Sequence, residues 1–134
     1  MPYWLLKTEA GEYGYADLES SRRDTWDGVR NPSAQKNIRG MSPGDLAFIY
    51  HTGKEKAIVG VAEVVSPPYP DPTDSKLHVI DLAPKYRLSR PVTLAEIKAD
   101  PAFSDWELAR LPRLSVMPAP PEHWNRVHAM AGRG

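Results

Sequence analysis

Fourteen prolines stand in this chain of 134 residues, against nine glycines, and they limit what it can become. Each proline fixes φ and removes an amide hydrogen, so neither a helix nor a central strand runs far before meeting one. The pattern predicts many fixed turns between short elements. That favours a strand-rich α+β domain over a helical bundle and argues against long helices. The length suits one domain, residues 1–134, with a core that needs no disulfide or metal staple.

Tyr3 to Thr8 is an aliphatic and aromatic run of strand length that ends in the charged edge Lys7-Thr8-Glu9. Tyr15 to Ser20 has room for one helical turn, and the polar stretch Ser20 to Thr25 reads as an exposed loop. In Trp26-Asp27-Gly28-Val29-Arg30-Asn31-Pro32, Asn31 is a good N-cap and Pro32 fits a first helical position. The helix predicted over 32–40 turns Ala34, Ile38 and Met41 to the core. Ser42-Pro43-Gly44-Asp45 is a turn, Leu46 to His51 a second strand, and residues 53–56 close a hairpin onto Ala57 to Val65, where Gly60 marks a bulge or close approach. Pro67 to Pro72 reads as a stiff loop. Residues 78–88 read as a long bent strand interrupted by Pro84. Thr93 and Glu96 form a capping box, Leu114 to Met117 alternates as a last strand, and Pro120-Pro121 opens a terminal helix that buries Trp124 and Val127.

The inventory of chemistry is short. With no cysteine, disulfides, thiolate nucleophiles and cysteine-based metal sites are excluded, and a reducing cytoplasm is consistent. The four histidines have no metal-binding spacing, and no phosphate loop or nucleophile elbow is present. Asp24, Asp27 and the other loop aspartates read as solvated charge. Neither an enzyme nor a cofactor is predicted. No apolar run approaches the roughly 20 residues of a membrane span, and the N-terminus lacks an export signal, so the reading is a soluble cytoplasmic protein.

A binding site is better supported. Recognition of an unstacked base needs a ring for stacking and polar groups for identity. Three segments offer them: Lys7 and Thr8 at the end of the first strand, Trp26 and Asn31 around the turn, Tyr50 and His51 at the end of the second strand. A base methyl group adds contact worth up to about 0.8 kcal/mol when buried. Seventeen basic residues balance seventeen acidic ones, so attraction to nucleic acid must be local. Arg22, Arg23, Arg30, Lys36 and Arg39 form such a patch against Asp24 and Asp27. The same residues also fit a plainer arrangement: Trp26 as core, Asn31 as a cap, Tyr50 and His51 as strand-end residues, the basic cluster as solvated surface.

Five ordered segments, Trp4-Leu5-Leu6-Lys7-Thr8-Glu9, Trp26 to Asn31, Tyr50-His51-Thr52, Gly60 to Val64 and Arg113-Leu114-Ser115-Val116-Met117-Pro118, together resemble the EVE domain. This family belongs to the PUA-like superfamily with the YTH and ASCH domains. The resemblance implies a strongly curved or barrel-like β-sheet with short helices around it, and a pocket for a modified base flipped out of DNA or RNA. Trp26 then corresponds to the aromatic wall, Asn31, Lys7 and Thr8 to polar groups near the base, Tyr50 and His51 to the adjoining strand, and Ser115 and Met117 to the pocket floor. EVE domains are associated with modified cytosines, such as 5-methylcytosine, and YTH domains with methylated adenine. The chain departs from the usual family strings at Thr8 and Thr52, where serine is common, and at Ala10, where proline is common. A threonine methyl narrows a pocket. The expected partner is therefore nucleic acid carrying a modified base, with any effector activity left to a protein that no residue here identifies. The alternatives are a small-molecule pocket for a nucleotide or heterocycle, and an ASCH-type enzyme acting on nucleic acid with Lys7 or Glu9 as acid or base.

Overall fold

A computed structural model describes residues 2–132; Met1 of the N-terminal segment and residues 133–134 of the predicted domain lie outside them. Strand β1 (Tyr3–Thr8) leads through helix α1 (Tyr15–Ser21), strand β2 (Asp24–Trp26) and helix α2 (Pro32–Arg39) to β3 (Leu46–His51). β3 pairs parallel to β1, Tyr3 opposite Leu46 and Thr8 opposite His51. Parallel neighbours need a long crossover, and α1, β2 and α2 occupy it. A hairpin then gives β4 (Ala57–Val64), followed by β5 (Tyr69–Asp71), the twenty-residue β6 (Asp74–Thr93), helix α3 (Leu94–Ala99), a 3-10 turn at Pro101–Phe103, α4 (Glu107–Arg110), β7 (Val116–Pro118) and α5 (Pro121–Met130). The strand order is β2-β6-β4-β3-β1-β7, with β5 attached to β6, and every pair but β1–β3 is antiparallel. This mixed sheet curls into a half-barrel flanked by short helices.

Both faces of the sheet are covered, which is why β1 and β3 read as continuous apolar runs. Alternation sends Trp4, Leu6 and Ile49 to one face, with Tyr15, Leu18, Trp26 and Ile38. It sends Leu5, Phe48 and Tyr50 to the other, with Ile97, Trp106, Met117 and Val127. On that second face Trp124 of α5 stacks between Tyr3 and Phe48, at 4.2 and 4.1 Å between centroids.

Three expectations are corrected. The segment Ser20 to Thr25, read as a loop, holds the end of α1 and the start of β2, because Asp24 and Thr25 pair with Leu82 and Asp81 and Thr25 Oγ1 donates to Asp81 Oδ1 at 3.0 Å. The proline-rich stretch read as a loop contains β5; as an edge strand paired on one side it tolerates Pro70. β6 is also not interrupted at Pro84. It runs through that residue at a register shift, where Val61 faces Tyr86 and Ala62 faces Pro84, the bulge being the place where a missing amide hydrogen does no harm. The Thr93–Glu96 capping box is present as read, each side chain meeting the other residue's amide. Among the described residues no helix is long and apolar enough to cross a membrane.

Candidate functional site

Pairing to β6 fixes Trp26 opposite Ile80 at the last position of β2. Gly28 then takes φ +76°, the left-handed conformation glycine adopts freely, and turns the chain toward α2. The turn is locked by Gln35, a buried amide that donates to Val29 O at 2.7 Å and to His78 O at 3.1 Å and accepts from the His78 amide at 2.8 Å. Asn31 caps α2, its Oδ1 accepting from the Ala34 amide at 3.0 Å.

Beside Trp26 lies a cavity of about 230 Å³ lined by Thr8, Tyr13, Asp24, Thr25, Trp26 and Asp27. Tyr13 meets the Trp26 ring edge-on, 6.0 Å between centroids. Its hydroxyl donates to Asp24 Oδ2 at 2.6 Å. Burial, reinforced by that carboxylate, pushes the phenol up to about 12, so it stays protonated at neutral pH. Thr8 Oγ1 donates to Tyr13 O at 2.6 Å, tying the end of β1 to the cavity wall. Among the described residues, two lining groups make no hydrogen bond within the protein: the Trp26 indole N–H and the Asp27 carboxylate. The hollow is therefore lined by one indole ring, one uncommitted N–H donor and one uncommitted carboxylate.

Of the residues singled out from sequence, the structure brings Trp26 and Thr8 together here and separates the rest. Asn31 borders a second groove with Ser33 and the 111–114 segment. Lys7 and Tyr50 lie across the sheet in a third depression, because β1 and β3 alternate and Lys7 and Thr8 must point to opposite faces. His51 is spent on the scaffold: the Tyr15 amide donates to Nε2 at 3.0 Å, leaving the proton on Nδ1 to meet Glu55 Oε1 at 2.7 Å. Met117, far from being a pocket floor beside Trp26, is fully buried in the opposite core. Ser115 accepts from the Lys7 amide at 2.9 Å, extending the β1–β7 edge. In the basic patch, Arg23 is paired with Asp81 at 3.0 Å. Arg22, Arg30, Lys36 and Arg39 are exposed and form no salt bridge among the described residues.

Sequence reasoning passed over Tyr13, Asp24 and Asp27. Asp27 stands beside Trp26 within a segment already singled out, which was signal enough. Tyr13 gives none, since only the fold of the 9–14 turn brings it to Trp26.

The EVE domain model matches residues 2–130. The chain belongs to the EVE domain family. The NMR structure of a Rhodopseudomonas palustris protein superposes with a TM-score of 0.94 at 40% identity, covering 98% of this chain and 94% of that one. Human THYN1, solved in complex with DNA containing 5-methylcytosine, superposes at 0.91 with 25% identity, over 100% of this EVE domain chain and 99% of that one. Thymocyte nuclear protein 1 of Danio rerio is 29% identical, covering 92% of this chain and 69% of its own length.

Proposed function

We propose that this EVE domain protein is a non-catalytic reader of a modified base in nucleic acid, and that the cavity beside Trp26 receives the base. The observation that carries the reading is the combination of the Trp26 ring with an Asp27 carboxylate that has no partner among the described residues, around a hollow of about 230 Å³. That volume lies below the roughly 300–1,000 Å³ typical of drug-sized ligands and suits one ring with a small substituent. Trp26 stacks on the ring and Asp27 accepts from an exocyclic amine. A carboxylate acceptor favours cytosine, which offers an N4 amine, over thymine, which offers a carbonyl there. Thr8 and Tyr13 wall the cavity where a 5-methyl group fits. The human relative solved with 5-methylcytosine DNA supports the same base class. Arg30, Lys36 and Arg39, with Arg22, meet phosphates of the strand.

The test is affinity for short single- and double-stranded DNA and RNA carrying cytosine, 5-methylcytosine, 5-hydroxymethylcytosine, adenine or N6-methyladenine. Tighter binding of a modified cytosine is expected. Trp26→Ala should weaken it by about 1–3 kcal/mol, and Asp27→Asn should erode the preference for cytosine. Because Trp26 is also part of the core, Trp26→Phe separates lost stacking from lost folding. Binding that is indifferent to modification and to all three substitutions overturns the reading.

A further inference from the structure

Across the sheet from Trp26, the ends of β1 and β3, the β3–β4 turn and α3 enclose a depression of about 250 Å³. Three of its lining residues are lysines, Lys7, Lys56 and Lys98, and none is a carboxylate. Two acids stand nearby: Glu55 meets His51 Nδ1 at 2.7 Å, and Glu9 accepts from the Gly11 amide at 2.9 Å through Oε1 while its other oxygen stands against Gly53, at the rim of the depression. None of the three ammonium groups forms a salt bridge among the described residues. Lys7 Nζ gives one hydrogen to Pro112 O at 3.1 Å and lies 5.6 Å from the centre of the Tyr50 ring.

The second observation is Tyr50. It lines the same hollow and is only 3% exposed, yet its hydroxyl has no hydrogen-bond partner within the described protein and is not sealed from solvent. A nearly buried hydroxyl opening onto a hollow lined by three lysines is a donor set awaiting an acceptor. Burial, and after it the charge of Lys98, lowers the Lys7 pKa, which is what unneutralised like charges do to one another.

We propose that this depression binds a phosphate group, with the Lys7, Lys56 and Lys98 ammonium groups and the Tyr50 hydroxyl holding its oxygens. Lysines act there as point charges, and three of them match a dianion better than a monovalent carboxylate. The site stands apart from the base cavity and does not rest on the base-reading proposal. Its phosphate comes either from the backbone of a bound strand or from a free phosphate compound; the chemistry of capture is the same.

The experiment is a titration with inorganic phosphate at constant ionic strength, followed by amide NMR. Saturable shifts confined to Thr52, Gly53, Lys56, Leu94 and Lys98 are expected. Tyr50→Phe, which keeps the packing, and Lys98→Gln, on an exposed helix face, should each weaken the apparent affinity about tenfold or more. Trp26→Phe should leave phosphate binding unchanged, so failure of the base reading does not touch this site. Shifts that are non-saturating, spread over the surface, or unaffected by both substitutions overturn the proposal. A short oligonucleotide identifies the source: if it moves the same amides and inorganic phosphate competes, the group is strand backbone; if inorganic phosphate alone moves them, it is a free phosphate compound.

Discussion

A β-carbon added at Gly60 would stand 2.8 Å from two ring atoms of Tyr15 and 3.1 Å from the Tyr86 carbonyl oxygen. Tyr15 cannot yield cheaply, because its hydroxyl sits 2.7 Å from Val61 O and 3.0 Å from Tyr86 O, and its amide donates to His51. Gly60→Ala should therefore cost about 1–3 kcal/mol, read as a lower midpoint in urea denaturation. It should also disturb Tyr13, two residues upstream, and with it the base cavity. At this scale the sequence was partly legible. Gly60 announced a close approach, and a tryptophan beside a glycine turn announced a wall. Tyr13 and Gln35 were silent, because each acquires its role from a residue far along the chain: Tyr13 through Trp26, and Gln35 through His78, 43 positions away.

Elements were legible where their reasons are local. The box Thr93-Leu94-Ala95-Glu96 announces a helix start, and the structure forms it, with Thr93 Oγ1 accepting from the Glu96 amide at 3.1 Å and Glu96 Oε1 accepting from the Thr93 amide at 3.0 Å. The forked contact with Arg90, then the Thr93 amide, hold the Glu96 carboxyl down from 4.5 to about 2. A carboxylate whose pKa is lowered by folding adds stability that is full above about 4.5 and lost as pH falls toward 2. The Glu96 side chain is about one-third exposed and its Arg90 partner half exposed, so solvent screens the pair and the gain is modest. Thr93→Ala should cost about 1 kcal/mol. Glu96→Gln should be destabilising at pH 7 and indistinguishable from the parent near pH 2, as seen by chemical denaturation across that range. β2 and β5 were not legible, for the converse reason. Neither Asp24–Trp26 nor Tyr69–Asp71 has strand character by itself. Both are made strands by β6, whose Asp81 collects Tyr69, Thr25 and Arg23 around one carboxylate.

Over the whole molecule the charges cancel, seventeen against seventeen, so no long-range field draws a nucleic acid in and salt dependence must report individual contacts. Each phosphate neutralised contributes about 0.9 to the slope of log K against log salt on duplex DNA and about 0.7 on a single strand. The four cations assigned to the strand, Arg22, Arg30, Lys36 and Arg39, should accordingly give a slope of about 3–4. Arg30 and Arg23 stand seven positions apart in sequence and differ in what they are free to do. Arg30 follows Gly28 in the turn beside the cavity, exposed and without a salt bridge among the described residues, whereas Arg23 already spans to Asp81 and joins β2 to β6. Arg30→Ala should lower the slope by one phosphate's worth and weaken all sequences alike. Arg23→Ala should leave the slope unchanged and cost less than about 1 kcal/mol of stability, as befits an exposed ion pair. The reverse pattern would put the strand over the β2–β6 edge instead of the Arg30 turn, with Asp81 giving up its partner to a phosphate. Affinity titrations at four salt concentrations, with each variant's urea midpoint measured in parallel, distinguish the two paths.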